Sequence, residues 1–131
     1  MDIHLIRETF VGHEWPQFIE MDEKQDTRVL SLGIDKSIRW FTGHFPQQPV
    51  LAGVVQTHWA GMLGRHLFEV AEDFVQLSNL KFHSVILPSQ VVTLHLGYVQ
   101  DINAIKFRYE REGTLVSEGK FRFTQDDPSL C

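Results

Sequence analysis

The segment GHFPQQPVLAGVVQTHWAGMLGRHLFEV, residues 43–70, contains the two features that decide the fold. Its first part, residues 43–53, holds two glycines and two prolines, which favour a stiff loop over a regular element. In its second part, residues 54–70, apolar residues recur at the spacing of three and four that is typical of an α-helix. These residues are Val55, Trp59, Met62, Leu63, Leu67 and Val70. The sequence therefore predicts one helix, entered through a stiff loop.

The predicted helix is weakly polar, with Arg65 and Glu69 as its only formally charged residues. We expect such a helix to be surrounded by protein. Gly61 and Gly64 lower its helix propensity, and they suggest that another backbone approaches closely. By the same pattern Trp59 and Met62 are expected in the core.

On both sides of this helix apolar and polar residues alternate, which is the period of β-strands. Two strands are predicted before the helix, at residues 18–21 and 28–35, with the polar run 22–27 as their turn. Four more are predicted after it, at residues 75–85, 92–98, 105–110 and 114–123, with turns at 87–90 and 112–113. This order predicts a single α+β domain over residues 1–131, in which an antiparallel sheet wraps one central helix.

Composition limits the compartment and the partners. The only cysteine is the last of the 131 residues, Cys131, so an intrachain disulfide is impossible and a reducing compartment is expected. Apolar runs are far shorter than the roughly 20 residues that span a bilayer, so we expect a cytoplasmic protein without a membrane partner. The net charge of −5 argues against nucleic acid as the main partner, and none of the seven histidines has zinc-motif spacing, so no metal is expected.

Residues 43–53 bring a histidine and a helix N-terminus to one neighbourhood. Pro46 and Pro49 stiffen the loop and would hold His44 in a defined position. Gly53 stands where the helix begins, and its lack of a side chain would let a ligand approach the first free N–H groups. Those groups and the helix dipole favour developing negative charge, such as that on a polarised thioester oxygen.

Residues 41–54, FTGHFPQQPVLAGV, resemble the F-x-G-H-F-P-x-x-P-(V/I)-(L/M)-P-G-V signature of the 3-hydroxyacyl-[acyl carrier protein] dehydratases of the FabA/FabZ type. The similarity continues at residues 80–82 and 85–88, and in element order it covers residues 28–123. The resemblance implies a hotdog fold, a homodimer or higher homo-oligomer, and no cofactor. It also implies removal of water from a 3-hydroxyacyl thioester, carried on acyl carrier protein or coenzyme A, to give the trans-2-enoyl thioester.

The resemblance also implies roles for individual residues. In the family the motif histidine, here His44, is the base on the α-carbon proton. The N–H of the motif glycine, here Gly53, binds the thioester oxygen, so Gly53 and the next residue, Val54, are the expected substrate-binding residues. The acid that helps the hydroxyl leave lies on the central helix of the partner subunit, at the position of His58. Residues 54–60, VVQTHWA, are also similar to a dehydratase-like branch associated with aryl-polyene lipid synthesis.

His58 is the main departure from the family, which has Glu or Asp there; Ala52 in place of a proline is the second. An unperturbed histidine titrates at about pH 6.5, so His58 as imidazolium and neutral His44 would share one proton around neutral pH. The structural alternative for His58 is a core histidine bonded to a backbone carbonyl.

Two other functions stay open. A hotdog thioesterase would hydrolyse the thioester, although residues 54–68 lack the carboxylate that such chemistry usually employs. A non-catalytic acyl-binding subunit would keep the pocket without the acid. Carrier proteins are typically acidic, and four basic residues are candidates to meet one: Arg39, Arg65, Lys81 and Arg108.

Overall fold

The computed structural model describes residues 2–41 and 49–125. Two α-helices lie in these ranges, α1 (Ile3–Thr9) and α2 (Gly53–Leu67). The strands are β1 (Gln17–Lys24), β2 (Thr27–Gly33), β3 (Phe74–Phe82), β4 (Val91–Val99), β5 (Ala104–Arg111) and β6 (Thr114–Phe123). Two single-turn 3₁₀ helices lie at Arg39–Phe41 and Gln100–Ile102.

The six strands form one antiparallel sheet in the order β1-β2-β4-β5-β6-β3. Side chains of β5 alternate between buried Ile105, Phe107 and Tyr109 and outward-facing Lys106 and Arg108, as expected for a sheet with one solvated face. Helix α2 packs on the buried face. The predicted α+β architecture, with one central helix on an antiparallel sheet, is confirmed.

The buried side of α2 fills the centre of the core. Its fully buried residues include Trp59, Ala60 and Leu63, each 0% exposed. Gly61 and Gly64 face the sheet as well, because a Cβ on Gly61 would lie 3.2 Å from the Phe121 ring and one on Gly64 would lie 3.0 Å from Ile105. Side chains of β6 and β5 therefore approach these glycines, where the sequence suggested a backbone.

One face of α2 is not covered, and this corrects the prediction that Met62 is in the core. Met62 is 44% exposed and Val54 is 76% exposed, and His58 lies between them on the same face. Residues four apart share one side of a helix, and this side is open to solvent beside β3 and β6. The predicted burial of Trp59 is confirmed.

Two element boundaries also differ from the prediction. Helix α2 ends at Leu67, three residues early, because Glu69 adopts the left-handed conformation, with φ 53°. Strand β1 continues through residues 22–24 by pairing with β2, so the turn is confined to Gln25 and Asp26. Pairing with a neighbouring strand overrides the weak strand propensity of charged residues.

Helix α1 was not predicted from the sequence. The Asp2 carboxylate accepts a hydrogen bond from the N–H of His4 and caps the helix, while Ile6 (0% exposed) and Phe10 (7% exposed) reach the core. Seven residues with one buried position give too short a pattern to recognise. Neither helix in the described ranges has the length and apolar character needed to span a membrane.

Candidate active site

The N-terminus of α2 presents two N–H groups without partners. Helix α2 begins at Gly53, preceded by Ala52, which has no side chain able to cap it. Among residues 2–41 and 49–125, no acceptor bonds the N–H of Gly53 or of Val54. Free donors at the positive end of a helix dipole attract negative charge. The chemistry expected of Gly53 and Val54 is therefore compatible with the geometry.

The Phe82 ring, at the end of β3, lies directly against Gly53. A Cβ on Gly53 would lie 2.5 Å from Cζ of Phe82, which is closer than real Cβ atoms come. A side chain at Gly53 would therefore displace the Phe82 ring, a reason for glycine here that the sequence did not suggest. Phe82 is itself 48% exposed, so its ring has room to move.

His58 is exposed on α2, in a groove of about 360 Å³. Apolar side chains dominate the lining, among them Val54, Met62 and Phe74. The imidazole stacks on the indole of Trp15, with ring centroids 5.5 Å apart and an angle of 25° between the planes. It makes no hydrogen bond to a backbone carbonyl in the described part of the chain, so the core-histidine alternative does not apply.

A single carbonyl group, that of Glu14, connects helix α2 with the 3₁₀ helix Arg39–Phe41. It accepts hydrogen bonds from the indole N–H of Trp59, next to His58, and from that of Trp40, each at 2.9 Å. The backbone N–H of Arg39 donates to His13 O at 2.7 Å, which also ties the 3₁₀ helix before His44 to this loop. The loop between α1 and β1 therefore holds α2 and the chain that leads to His44 together.

Gln56 fixes the start of α2 from inside the core, where it is 2% exposed. Its Nε2 donates to Leu51 O at 3.0 Å, and its Oε1 accepts from Ser117 Oγ at 2.7 Å. The Tyr109 hydroxyl donates to the Gln56 carbonyl at 2.7 Å. These bonds anchor the residues just before the helix to β5 and β6. A glutamine at a buried helical position is the one signal in the sequence that could have indicated this network.

The remaining predicted site residue, His44, lies outside the described residues. His83 and His95 lie within the described ranges and pair with carboxylates, His83 with Glu118 at 3.0 Å and His95 with Glu110 at 3.1 Å. Within residues 2–41 and 49–125, no group of three His, Cys, Asp or Glu side chains is arranged to hold a metal ion. Trp15, which contacts His58, carried no signal in the sequence.

Comparison with known proteins identifies the family of this chain. Residues 20–120 match a family model described as ApeI-like, ApeI dehydratase. The chain is 30% identical to a 3-hydroxyacyl-[acyl-carrier-protein] dehydratase FabZ of Sorangium cellulosum, over 92% of this chain and 87% of that relative.

Solved structures agree with this match. The dehydratase heterocomplex ApeI:P from Xenorhabdus doucetiae is similar with a TM-score of 0.78 and 27% identity, over 84% of this chain and 98% of that one. A mouse protein, thioesterase superfamily member 2, is similar with a TM-score of 0.63 over 79% of this chain and 85% of that one. Its identity is 9%, so this second likeness concerns the fold alone.

Proposed function

Because this chain belongs to the ApeI-like family of dehydratases, we propose that it removes water from a 3-hydroxyacyl thioester on an acyl carrier protein and yields the trans-2-enoyl thioester. Relatives named as 3-hydroxyacyl-[acyl-carrier-protein] dehydratases support the carrier. The structural observation that carries the proposal is the position of His58. It lies in an apolar groove about one turn beyond Gly53 and Val54, whose N–H groups have no acceptor among the described residues.

The elimination needs one proton removed and one supplied. Neutral His44 takes the proton from the α-carbon, and the electron pair moves toward the thioester carbonyl. The N–H of Gly53, beside Val54, stabilises the negative charge that develops on that oxygen. His58, as imidazolium, protonates the leaving hydroxyl, which departs from the β-carbon as water. The proton on His44 then returns to His58 directly or through water, so no cofactor is consumed.

The uncovered face of α2 and the edge strand β3 support association with a second copy of this chain. Strand β3 is an edge of the sheet, and four of its apolar residues are between 39% and 52% exposed: Phe74, Val75, Leu80 and Phe82. Val54 and Met62 extend this apolar surface onto α2 around His58. Exposed apolar surface of this kind marks an interface. A dimer formed there fits the expectation that the proton donor comes from the partner subunit, because His58 lies within this apolar surface.

The catalytic proposal is tested with 3-hydroxyacyl thioesters of acyl carrier protein and of coenzyme A. His44→Ala and His58→Ala should each lower the dehydration rate by at least 100-fold, whereas His4→Ala, at an exposed histidine of α1, should leave it unchanged. His58→Glu supplies the carboxylate of the FabA/FabZ type and should retain activity. Full activity of His58→Ala would exclude the paired mechanism, and release of thiol in place of water would show a thioesterase.

Oligomeric state is tested by light scattering. Phe74→Glu places a charge on the apolar surface and should yield monomers, whereas Lys36→Glu, at an exposed residue that already carries a charge, should not. The similar ApeI structure is described as a heterocomplex. If the wild-type chain is monomeric alone and associates only with a different chain, the homodimer is wrong.

A further inference from the structure

The outward face of the sheet carries a trough of about 470 Å³, on the side opposite to α2. It crosses five adjacent strands, β2, β4, β5, β6 and β3, and is therefore about 19 Å long at the usual strand spacing. Gly97 opens it further, since a Cβ there would touch nothing within 4 Å. An α-helix segment of about three turns has this length.

The trough is basic, although the whole chain has a net charge of −5. Four cationic residues and one carboxylate contribute to its lining: Lys81, Lys106, Arg108, Lys120 and Glu118. Of the four basic residues that the sequence offered for a carrier protein, Lys81 and Arg108 lie here. Arg39 pairs with Glu14 at 3.1 Å on another surface, and Arg65 lies in the groove of His58.

Lys106 and Lys120 are directly opposite each other on β5 and β6. Like charges at such positions are about 5 Å apart at Cβ and destabilise the pair of strands. Arg108 and Glu118 each have a partner, Glu110 at 2.8 Å and His83 at 3.0 Å. Among the described residues, however, Lys81, Lys106 and Lys120 have no ion pair. Glu118 is directly opposite Lys81 and Arg108 in the strand pairing, so the uncompensated charge is that of the Lys106 and Lys120 pair. Such a pair of like charges indicates a surface that an anionic partner neutralises.

We propose that this trough docks the acyl carrier protein through an acidic helical surface. The inference rests on the proposed function for the identity of the partner. Lys81 immediately precedes Phe82, whose ring lies against Gly53, so the trough and the predicted oxyanion site are at the same end of the edge strand β3, on its two opposite faces. A carrier seated in the trough would deliver its acyl thioester to the N-terminus of α2 around this edge strand. Charge complementarity of this kind steers association and depends on ionic strength.

The test uses charge reversal at single positions. Lys106→Glu and Lys120→Glu each replace a like-charge pair by an opposite-charge pair, so both variants should melt at or above the wild-type temperature. Each should raise KM for a 3-hydroxyoctanoyl acyl carrier protein by about tenfold, since both substitutions turn attraction into repulsion. With 3-hydroxyoctanoyl pantetheine, which lacks the protein, kcat and KM should stay unchanged. Lys24→Glu, on β1 at the opposite edge of the sheet, is the control with the same charge change.

Direct binding keeps this test separate from that of the dehydratase activity. Calorimetry should show that the wild type binds holo acyl carrier protein and that this affinity falls with added salt. In both trough variants the affinity should be about tenfold lower. These results are expected even if the chain turns over no thioester. Unchanged carrier affinity in both variants, or an equal loss in Lys24→Glu, would overturn the docking site. A loss confined to coenzyme A thioesters would assign the trough to nucleotide phosphates and would also overturn it.

Discussion

The indole of Trp15 and the imidazole of His58 are stacked face to face, with centroids 5.5 Å apart. The Trp15 ring also makes an edge-on contact with Phe10, with ring centroids 4.7 Å apart. Its neighbour Glu14 is fixed by hydrogen bonds that its carbonyl accepts from two indole N–H groups. The stack fixes the orientation of the imidazole ring. Trp15 is therefore a positioning residue for the proposed proton donor.

Trp15→Leu should accordingly lower kcat for dehydration about two- to fivefold, the equivalent of the roughly 0.5–1 kcal/mol of an aromatic contact. Trp15→Phe keeps an aromatic face and should recover most of the rate. A loss that follows the melting temperature of the variants, without recovery in Trp15→Phe, would indicate a merely structural role.

The contact between Gly53 and Phe82 predicts coupling between two substitutions. Gly53→Ala forces the ring away and should cost about 1–2 kcal/mol of unfolding free energy. Once Phe82→Ala has removed the ring, the same Gly53→Ala substitution should cost at least about 0.5 kcal/mol less. Chemical denaturation of the two single variants and the double variant measures this difference. Additive effects would mean that the ring does not pack on Gly53.

The Gln56 network predicts a large loss of stability without any change at the surface. Gln56→Leu leaves Leu51 O and Ser117 Oγ without their partner inside the core and should cost about 2–4 kcal/mol. Ser117→Ala introduced into that variant removes the hydroxyl that has lost its partner, and it should recover part of the lost unfolding free energy. Urea denaturation of the variants provides the measurement. A cost below about 0.5 kcal/mol for Gln56→Leu would contradict the network.

Burial of Tyr109 predicts sensitivity to alkali. Burial raises its pKa well above the ordinary value of 10.0, so above that pH the unfolded chain loses a proton that the folded chain retains. The associated stability is complete below pH 10.0 and is lost as pH rises toward the folded pKa. Between about pH 10 and 11 this amounts to roughly 1 kcal/mol.

Unfolding free energies measured across that range should therefore fall more steeply in the wild type than in Tyr109→Phe. The comparison between variants removes the contribution of lysines that titrate nearby. Tyr98→Phe is the matched control, because partial burial also raises the pKa of Tyr98, with a further contribution from Glu72 and Asp26, but to a smaller extent. Equal slopes in the wild type and in Tyr109→Phe would show that the Tyr109 hydroxyl ionises in the folded chain.

The order of strands and helix, the central position of α2 and the family were all accessible from the sequence. The spacing of apolar residues indicates which of them are buried. The motif of residues 41–54 resembles the signature of one type of dehydratase. Burial of Trp59 followed from its spacing. Exposure of Met62 did not, because periodicity identifies an apolar stripe without showing whether protein or solvent covers all of it. Only the packing of α2 on the sheet left the side of Val54, His58 and Met62 open.

Tertiary structure alone decided which distant residues meet. Trp15, which stacks on His58, is 43 positions before it in the sequence. The Glu14 carbonyl accepts hydrogen bonds from the indole N–H groups of Trp40 and Trp59. No local sequence pattern encodes these contacts. Lys106 and Lys120 looked like ordinary solvated residues until the pairing of β5 with β6 set them opposite each other. Local propensity and periodicity act over a few residues, whereas strand register and helix docking are fixed by the whole core. The sequence thus determined the fold and the candidate chemistry, and packing determined what surrounds them.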